Sequence, residues 1–298
     1  MKDIRQSQLY AKYLESIGWQ TKKIEGNYIF VKKFPVLGNF VKIQRPKKLT
    51  KTFINKVAEL EGVFQIIIEP DLPFFSFSQK QLLAQGFKLS QSSYLPSKTL
   101  VIDLTKSLPK IQANFKKDAR GALRKNQNTE ITRAKDIKHF RDIWTGSVPR
   151  TRYVMSLTHL QTLKKAFGNN CQLLLDENQN AGAIFLVADK RAYYWQAFTS
   201  QKGRKQMIQY KIVWEGIVWA KKQGAQIFDF EGIYDERFPN PKWKGFTHFK
   251  KSFSQKEREY PGCFTKTNWS NLLRNILGTA AQGTSCSGKL PEQILSLR

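Results

Sequence analysis

The sequence predicts a mixed α/β fold with two subdomains, and three observations support this. Apolar runs of strand length, such as Val63–Glu69, alternate with stretches whose apolar residues recur at helical spacing. Residues 182–230 follow the order strand, strand, long helix, strand. The 298 residues, 41% of them apolar and 13% aromatic, are enough for two cores or one large one. We therefore expect an α/β (α+β) protein with mixed central sheets.

The first half of the chain predicts alternating helices and strands. The predicted elements are a helix at 7–17, a strand at 63–69, a helix at 78–85 and a strand at 98–104. Gly18 and Gly86 supply the stop that commonly follows a helix. Pro96 restricts the backbone just before the last of these strands, which makes residues 90–98 a plausible hinge between domains.

The second half is predicted as further helices and strands, and then a charge-poor end. The predicted elements are helices at 107–126, 136–146, 156–167 and 205–223, strands at 171–175, 182–188, 191–198 and 226–230, and a helix within 269–277. The low-complexity end is predicted to be a loosely held tail whose role, over 275–298, the sequence leaves open. The predicted domains are residues 1–97, residues 98–262, and a 263–298 segment that returns to the first.

The charge predicts an anionic partner and, with the cysteine pattern, excludes several kinds of site. Lys and Arg number 50 against 23 Asp and Glu, which gives a formal net charge of +27. Such a surface attracts nucleic acid, anionic lipid or phosphorylated molecules, although a generally basic proteome would give the same composition. Three scattered cysteines suit a reducing cytoplasm, and no Cys/His spacing suits zinc. No apolar run approaches the ~20 residues that a membrane-spanning helix needs.

Four stretches resemble the FemABX-type aminoacyltransferases, in the order that this family has them. They are QSQLYAKYLESIGW at 6–19, TLVIDLTKSLPKIQANFKKDARGALRK at 99–125, YYWQAFTSQKGRKQMIQYKIVWEGIVWAKKQGAQIFDFEGI at 193–233, and GFTHFKKSFSQKEREYPGCF at 245–264. The resemblance implies two tandem acetyltransferase-like subdomains. Some family members carry a coiled-coil arm in the second half, but here the chain near 156–171 passes directly into a strand, so no arm is expected.

The resemblance also implies the reaction and the partners. The family transfers an aminoacyl group from aminoacyl-tRNA, a co-substrate, to an amine of a peptidoglycan precursor. The precursor is UDP-linked or lipid-linked, and a basic surface could also contact an anionic membrane. No metal, cofactor or covalent intermediate is needed, because the ester is already an activated acyl donor. We expect a cytoplasmic monomer; which amino acid is transferred, and how many, stays open.

The family's Phe-Lys-x-x-Phe motif matches residues 249–253 and makes Lys250 the candidate catalytic cation. This lysine would stabilise the oxyanion of the tetrahedral intermediate, and the flanking Phe249 and Phe253 would hold its stem. Asp229 and Glu231, at the end of the strand at 226–230, are further candidates because they could accept a proton or orient the amine, and Asp229 is the one that we assign to the catalytic site. Strand-end carboxylates more often have structural partners, so this second assignment competes with a structural role.

Other candidates would bind the acceptor and the tRNA. Arginine binds phosphate oxygens with two donors, and the family's phosphate-binding arginine is closest to Arg152, with Arg150 one step out of register. The family's substrate-packing aromatic falls at Trp195 or Gln196, and its N-terminal substrate lysine falls near Lys12. Three residues spaced four apart would line one face of the predicted 107–126 helix and could follow a phosphate backbone: Lys116, Arg120 and Arg124.

Two other functions remain as alternatives. An acyl-CoA-dependent N-acetyltransferase would share the strand order at 182–230, but the stretch QKGRKQ at 201–206 lacks the glycine pattern that binds the CoA pyrophosphate. A non-catalytic RNA-binding or anion-binding protein would keep the basic clusters, but it would have no need for the FDFEGI and FKKSF elements together.

Overall fold

The structure is a computed structural model that describes residues 1–46, 48–71 and 77–268. Its helices and strands, in chain order, are α1 (Gln8–Ser16), β1 (Gln20–Ile24), β2 (Asn27–Phe34), β3 (Gly38–Gln44), α2 (Lys51–Ala58), β4 (Val63–Glu69), α3 (Phe77–Ala84), β5 (Lys88–Leu89), β6 (Lys98–Asp103), α4 (Leu108–Ala113), α5 (Lys117–Lys125), β7 (Ile131–Arg133), α6 (Ile137–Ser147), α7 (Leu157–Phe167), β8 (Cys171–Asp176), β9 (Ala181–Ala188), β10 (Arg191–Thr199), α8 (Gln201–Gln206), α9 (Gln209–Lys222), β11 (Ile227–Gly232), α10 (Lys244–Lys251), β12 (Glu257–Glu259) and β13 (Phe264–Thr267).

The chain divides into two compact units that differ from the predicted domains at the N-terminus. Among the described residues, the larger unit contains Met1–Ile17 and Lys98–Arg258, and the smaller unit contains those of Gly18–Ser97 and of 259–268. Residues 1–17, assigned from the sequence to the first subdomain, therefore belong with the second. The reason is tertiary packing between distant parts of the chain, because the N-terminal segment is buried against β10 and α1 packs against α7. The predicted helix within 269–277 and the tail at 275–298 lie outside the described residues.

The larger unit is built on a seven-stranded mixed sheet in the order β12-β6-β11-β10-β9-β8-β7. β10 and β11 run parallel and the pairs β8–β9, β9–β10 and β6–β11 antiparallel. Helix α9 packs on this sheet through Ile212, Val213 and Ile217, which share one apolar core with Phe185 and Phe228. The predicted strand, strand, helix, strand order is confirmed by β9, β10, α9 and β11.

The smaller unit is built on a six-stranded sheet in the order β1-β2-β3-β4-β13-β5. β3 and β4 are parallel and the neighbouring pairs antiparallel, so this sheet is mixed too. The strand predicted at 63–69 is confirmed as β4, and α2 covers its unit's core with Phe53, Ile54 and Val57. The expected mixed α/β class is confirmed in both units.

Two helices predicted as continuous are each broken in the structure. The 107–126 stretch forms α4 and α5, because Lys116 is extended and its N–H donates to the carbonyl of Ser252 at 2.8 Å. The 205–223 stretch forms α8 and α9, with Met207 in the left-handed region between them at φ 59°. Helical periodicity does not reveal these breaks, which depend on local backbone conformation and on distant partners.

Helix α7 passes into β8 through one 3-10 turn at Gly168–Asn170, so the described residues at this point contain no coiled-coil arm. The described part of the chain also contains no helix with the length and apolarity needed to cross a bilayer.

Gly216 tests the packing between α9 and β9. A Cβ at this position would lie 2.2 Å from the ring of Phe185, which is fully buried. Helix propensity alone favours alanine over glycine by about 1 kcal/mol. Because the ring has no free space to move into, we expect Gly216→Ala to lower the free energy of unfolding by about 1–3 kcal/mol instead, measured by chemical denaturation.

Gly121→Ala is the matched control, since Gly121 lies in α5 and a Cβ there meets nothing within 4 Å. This variant should be neutral or more stable than the wild type by up to about 1 kcal/mol. If both substitutions stabilise the protein, the close approach of α9 to Phe185 is wrong.

Candidate functional site

The two parallel strands of the larger sheet separate before they end. Arg191–Tyr193 of β10 pair with Ile227–Asp229 of β11, whereas β10 continues to Thr199 and β11 to Gly232. We call the region between Tyr194–Thr199 and Phe230–Gly232 the strand opening. In open α/β sheets, ligands bind beyond the carboxyl ends of parallel strands, so this is the natural place for a site.

Both strands are irregular where they separate. On β10, Trp195 is the extra residue of a bulge, because Tyr194 pairs with Phe185 of β9 and Gln196 with the adjacent Ile184. On β11, the pairing with β6 shifts between Asp229 and Gly232, and Glu231 lies in the left-handed region at φ 60°. Bulges of this kind redirect side chains and occur often beside active sites.

Lys250 reaches the strand opening from α10. Its Nζ donates hydrogen bonds to the carbonyls of Phe230 and Gly232, each at 2.6 Å, and the residue is only 8% exposed. Burial lowers the pKa of this amine to about 8, although the nearby carboxylates of Glu231 and Asp229 act to raise it. A protonated amine has three N–H donors. Two of those of Lys250 bind carbonyls of β11, and one remains.

The rings beside the Lys250 ammonium differ from those expected. Its Nζ lies 5.0 Å from the ring centroid of Phe246 and 5.8 Å from that of Tyr194. Phe253 is instead buried in the core beneath α10, and Phe249 packs against that core beside Tyr210. The two phenylalanines of the motif thus anchor the helix, and other rings face the charge.

Asp229 is 2% exposed and fully engaged by neighbours. Its Oδ1 accepts from the hydroxyl of Thr99 at 2.6 Å and from the N–H of Glu231 at 2.8 Å. Burial and the charge of Glu231 raise its pKa to about 6, against the opposing effect of Arg191. These hydrogen bonds give Asp229 a structural role, and its charge acts on Lys250. Its role as a proton acceptor stays a prediction.

The N-terminal segment adds charges to the site that no sequence pattern indicates. The Arg5 guanidinium binds both carboxylate oxygens of Glu231 and also contacts Asp3, and the hydroxyl of Tyr193 accepts the N–H of Ile4 at 2.9 Å. Periodicity could not reveal this, because Arg5 and Glu231 are separated by 226 residues. Only the burial of this polar segment beside the residues matched to the family indicates its role, and burial is not visible in the sequence.

Arg152 lies beside the far half of β10. Its Nη2 donates to the carbonyl of Ala197 at 2.9 Å. Burial raises the pKa of the Tyr194 hydroxyl well above its usual value, and the hydrogen bond with Gln209 and the charge of Arg152 oppose this rise only in part. The Tyr194 hydroxyl accepts from the amide of Gln209 at 2.8 Å. Tyr194 therefore has Arg152 and Lys250 as cationic neighbours. Arg150 is exposed.

The remaining acceptor candidates lie in the same unit. Trp195 is half-buried, with the Arg5 guanidinium 4.9 Å from its ring centroid and Tyr10 of α1 edge-on at 6.2 Å. Lys12 is exposed two residues further along α1, and Gln196 is half-buried on β10. Helix α1 thus brings its part of the family pattern beside Trp195.

The predicted basic stripe is only partly formed. Lys116 precedes α5 instead of lying within it, and the Arg120 guanidinium donates to the carbonyls of Ala113 and Phe115, at 3.0 and 3.1 Å. Arg124 is exposed and lines a surface pocket with Trp214 and Lys211. Arg120 therefore caps α4, whereas Lys116 and Arg124 present charge to solvent.

A second basic surface lies around Lys250. Residues 241–251 contain four lysines and no acidic residue, and Phe246 is 38% exposed with its ring 5.5 Å from that of Trp243. Exposed aromatic rings among cations suit single-stranded nucleic acid, since bases stack on the rings while phosphates meet the charges. We call this segment the α10 surface.

Among the described residues, no group of His, Cys, Asp and Glu is arranged to hold a metal ion. An acyl-CoA-dependent acetyltransferase would need a loop that binds pyrophosphate at the start of α8. There the Arg204 guanidinium donates to the carbonyl of Thr199 at 2.7 Å. Its hydrogen bond holds it against its own chain.

Comparisons with known proteins give one family match in sequence and several matches in fold. The model of the FemAB family matches residues 176–270, which include β10, β11 and α10. The FemX crystal structure has a TM-score of 0.75 and 16% identity, covering 92% of this chain and 94% of FemX. L-PGS from Bacillus licheniformis has a TM-score of 0.56 and 12% identity, covering 92% of each chain. A conserved protein of unknown function from Bacteroides thetaiotaomicron has a TM-score of 0.55 and 13% identity, covering 89% of this chain and 92% of that one.

A search of curated proteins gives no match. The chain is therefore similar in sequence to the FemAB family over residues 176–270, and it has the fold of FemX over nearly its whole length.

Proposed function

We propose that this protein is an aminoacyltransferase that moves an amino acid from aminoacyl-tRNA to an amine of a peptidoglycan precursor. The observation that carries the proposal is Lys250, a buried cation at the strand opening of a FemX-like fold. It occupies the lysine position of the FemABX motif, within the stretch that the FemAB model matches. The basic surfaces around it support polyanionic substrates.

The reaction needs little chemistry from the protein. The acceptor nitrogen attacks the ester carbonyl, a C–N bond forms, and the C–O bond to the tRNA ribose breaks in the tetrahedral intermediate. The amine loses one proton and the ribose oxygen gains one, so no net oxidation or cofactor enters. The protein must align the two substrates and stabilise the negative oxygen of the intermediate.

Lys250 meets the second requirement. Two of its three donors bind the carbonyls of Phe230 and Gly232, which fixes the ammonium and leaves one donor for an oxyanion. Because Lys250 is only 8% exposed, its charge interacts with the developing negative oxygen more strongly than the charge of a solvated lysine would. The preformed bonds also spare reorganisation during the reaction.

The two substrates are assigned to different neighbours of Lys250. Arg152 and the bulged Trp195 support a phosphate-bearing acceptor on the β10 side, and the role of Lys12 stays a prediction from the resemblance. The α10 surface, with Lys116 near its end, supports the unpaired 3′ end of a tRNA on the other. Lys250 belongs to the helix of the α10 surface and contacts Tyr194, the neighbour of Arg152.

The test of this function is incubation of the protein with a mixed pool of charged tRNAs and either a UDP-linked or a lipid-linked muropeptide precursor, analysed by mass spectrometry. We expect the precursor to gain the mass of one or more amino acids, only when the tRNA is charged. Acetyl-CoA in place of tRNA tests the acetyltransferase alternative. RNA binding without product in any arm would favour a non-catalytic RNA-binding protein.

Replacement of Lys250 by methionine tests its role in catalysis. Lys250→Met keeps the length of the side chain and removes the charge, so kcat should fall by about 10²–10³-fold, the range for loss of one oxyanion donor. Affinity for tRNA, measured by filter binding, should change much less because the other three lysines of the α10 surface are kept and Lys250 itself is buried.

Lys251→Met is the matched control, since Lys251 is the next residue and forms an ion pair with Glu257 instead. Its kcat should stay within a few-fold of the wild type. Equal losses in both variants would mean that the lysines act only through the net charge of the helix.

The pH dependence tests the charge state of Lys250. Its pKa is lowered from 10.5 to about 8, so the ammonium is present below pH 8 and is lost as the pH rises through that value. We expect kcat/KM to fall above pH 8, by about tenfold per unit. Lys250→Arg, which stays charged, should move this decline to a higher pH; an unchanged decline would assign it to another group.

Arg152 is expected to bind the phosphate of the acceptor. Arg152→Ala should raise KM for the precursor by about 10–100-fold, the value of one charge-assisted phosphate contact, with KM for aminoacyl-tRNA unchanged. Arg150→Ala should raise it less, because the side chain of Arg150 is not held against β10. The larger effect at Arg150 would contradict the assignment.

A further inference from the structure

Around Lys250, six charged side chains form one cluster, and three of them, Asp3, Arg5 and Arg191, are not indicated by the sequence. The cluster consists of Asp3, Arg5, Arg191, Asp229, Glu231 and Lys250. Three are acidic and three are basic, so the set is neutral as a whole. Five of the six residues are more than nine-tenths buried, and the side chain of Glu231 is 15% exposed.

Arg5 fixes the side chain of Glu231. Its Nη1 and Nη2 bind Oε1 and Oε2 of the carboxylate at 3.1 and 2.8 Å, which is the two-bond geometry that guanidinium and carboxylate favour. The guanidinium lies over the ring of Trp195 and also contacts Asp3. Both partners of the pair are therefore held in one orientation.

The backbone of Glu231 presents the two carbonyls that bind Lys250. Glu231 has φ 60°, and it lies between Phe230 and Gly232, whose carbonyls both accept from Nζ. A left-handed conformation reorients the flanking peptide groups relative to an extended strand, but it is unfavourable for a residue with a side chain. The Arg5 pair and the bond from the N–H of Glu231 to Asp229 are the contacts that hold it.

We propose that Glu231, held by Arg5, is the positioning residue for Lys250: it aims two carbonyls at the ammonium and supplies the carboxylate that keeps it charged. Its meaning for catalysis rests on the proposed function. The groups that face the amine are Glu231 and Asp229 of β11, Tyr194 of β10 and Phe246 of α10. Arg191 lies behind Asp229, with Nη1 3.9 Å from Oδ2, and Arg5 behind Glu231.

The first experiment measures the pH dependence of acylation of the Lys250 amine by acetic anhydride, read by mass spectrometry without substrates. Glu231→Gln keeps the shape of the side chain and removes its charge, so the amine should lose its proton at lower pH. We expect the labelling rate at pH 7, relative to its plateau at high pH, to rise by about threefold or more, equivalent to half a pKa unit. Lys98→Met is the control: it removes the ion pair of Lys98 with Glu257 in the same sheet and should leave the ratio unchanged.

The second experiment is a double-mutant cycle on kcat. Arg5→Met and Glu231→Gln each remove one partner of the same ion pair. The kcat of the double variant should therefore be at most slightly lower than that of the slower single variant. Arg5→Lys, which keeps the charge but not the two-bond geometry, should recover only part of kcat. These variants also serve if Glu231→Gln folds poorly, since thermal unfolding will show which of them remain folded.

An unchanged labelling ratio in folded Glu231→Gln, or multiplicative losses of kcat in the cycle, would overturn the positioning role. A purely structural Glu231 would lower stability without moving the ratio. Because the labelling uses no tRNA and no precursor, a shifted ratio supports the positioning of Lys250 even if the wild type transfers no aminoacyl group. The absence of aminoacyl transfer by the wild type would overturn the proposed function but not the positioning of Lys250.

Discussion

The bonds from Lys250 to Phe230 and Gly232 are the interaction on which the candidate site depends. They exist because β11 has left its neighbour β10, so that carbonyls of a central strand can be bound by a side chain. An ammonium buried in this way needs nearby negative charge, which Glu231 and Asp229 provide. The left-handed turn, the ionic cluster and the buried N-terminal segment can all be understood as supports for one fixed cation.

Much of the fold could be predicted from the sequence, because the strands are marked by strong local patterns. The run at Val63–Glu69 and the strand, strand, helix, strand order at 182–230 follow from apolar periodicity alone. The three strands within Gln20–Gln44 were missed, since their alternation is weak and several of their lysines point to solvent. The breaks at Lys116 and Met207 could not be predicted, because the first is set by the distant Ser252 carbonyl and the second by a left-handed residue that is not glycine.

The candidate site shows a similar division. Lys250, Arg152 and Trp195 were identified through a family resemblance that short motifs carry, and the structure brings them to one pair of strands. Arg5, Asp3 and Arg191 have no motif, and their partners lie far away in the chain, so no local pattern indicates them. Arg120 is the reverse case. Its spacing predicted a basic stripe for RNA, but its guanidinium binds carbonyls at the end of α4. Spacing predicts which face a residue lies on, but not which group it binds.

The division of the chain between its two units has a consequence for synthesis on the ribosome. Arg5 of the larger unit is synthesised before its partner Glu231, which lies 226 residues further along the chain. In the smaller unit, β13 inserts between β4 and β5, which are synthesised much earlier. Each unit therefore joins segments that are far apart in the chain, so the pair of Arg5 with Glu231 and the complete smaller sheet form only after the later segment has left the exit tunnel.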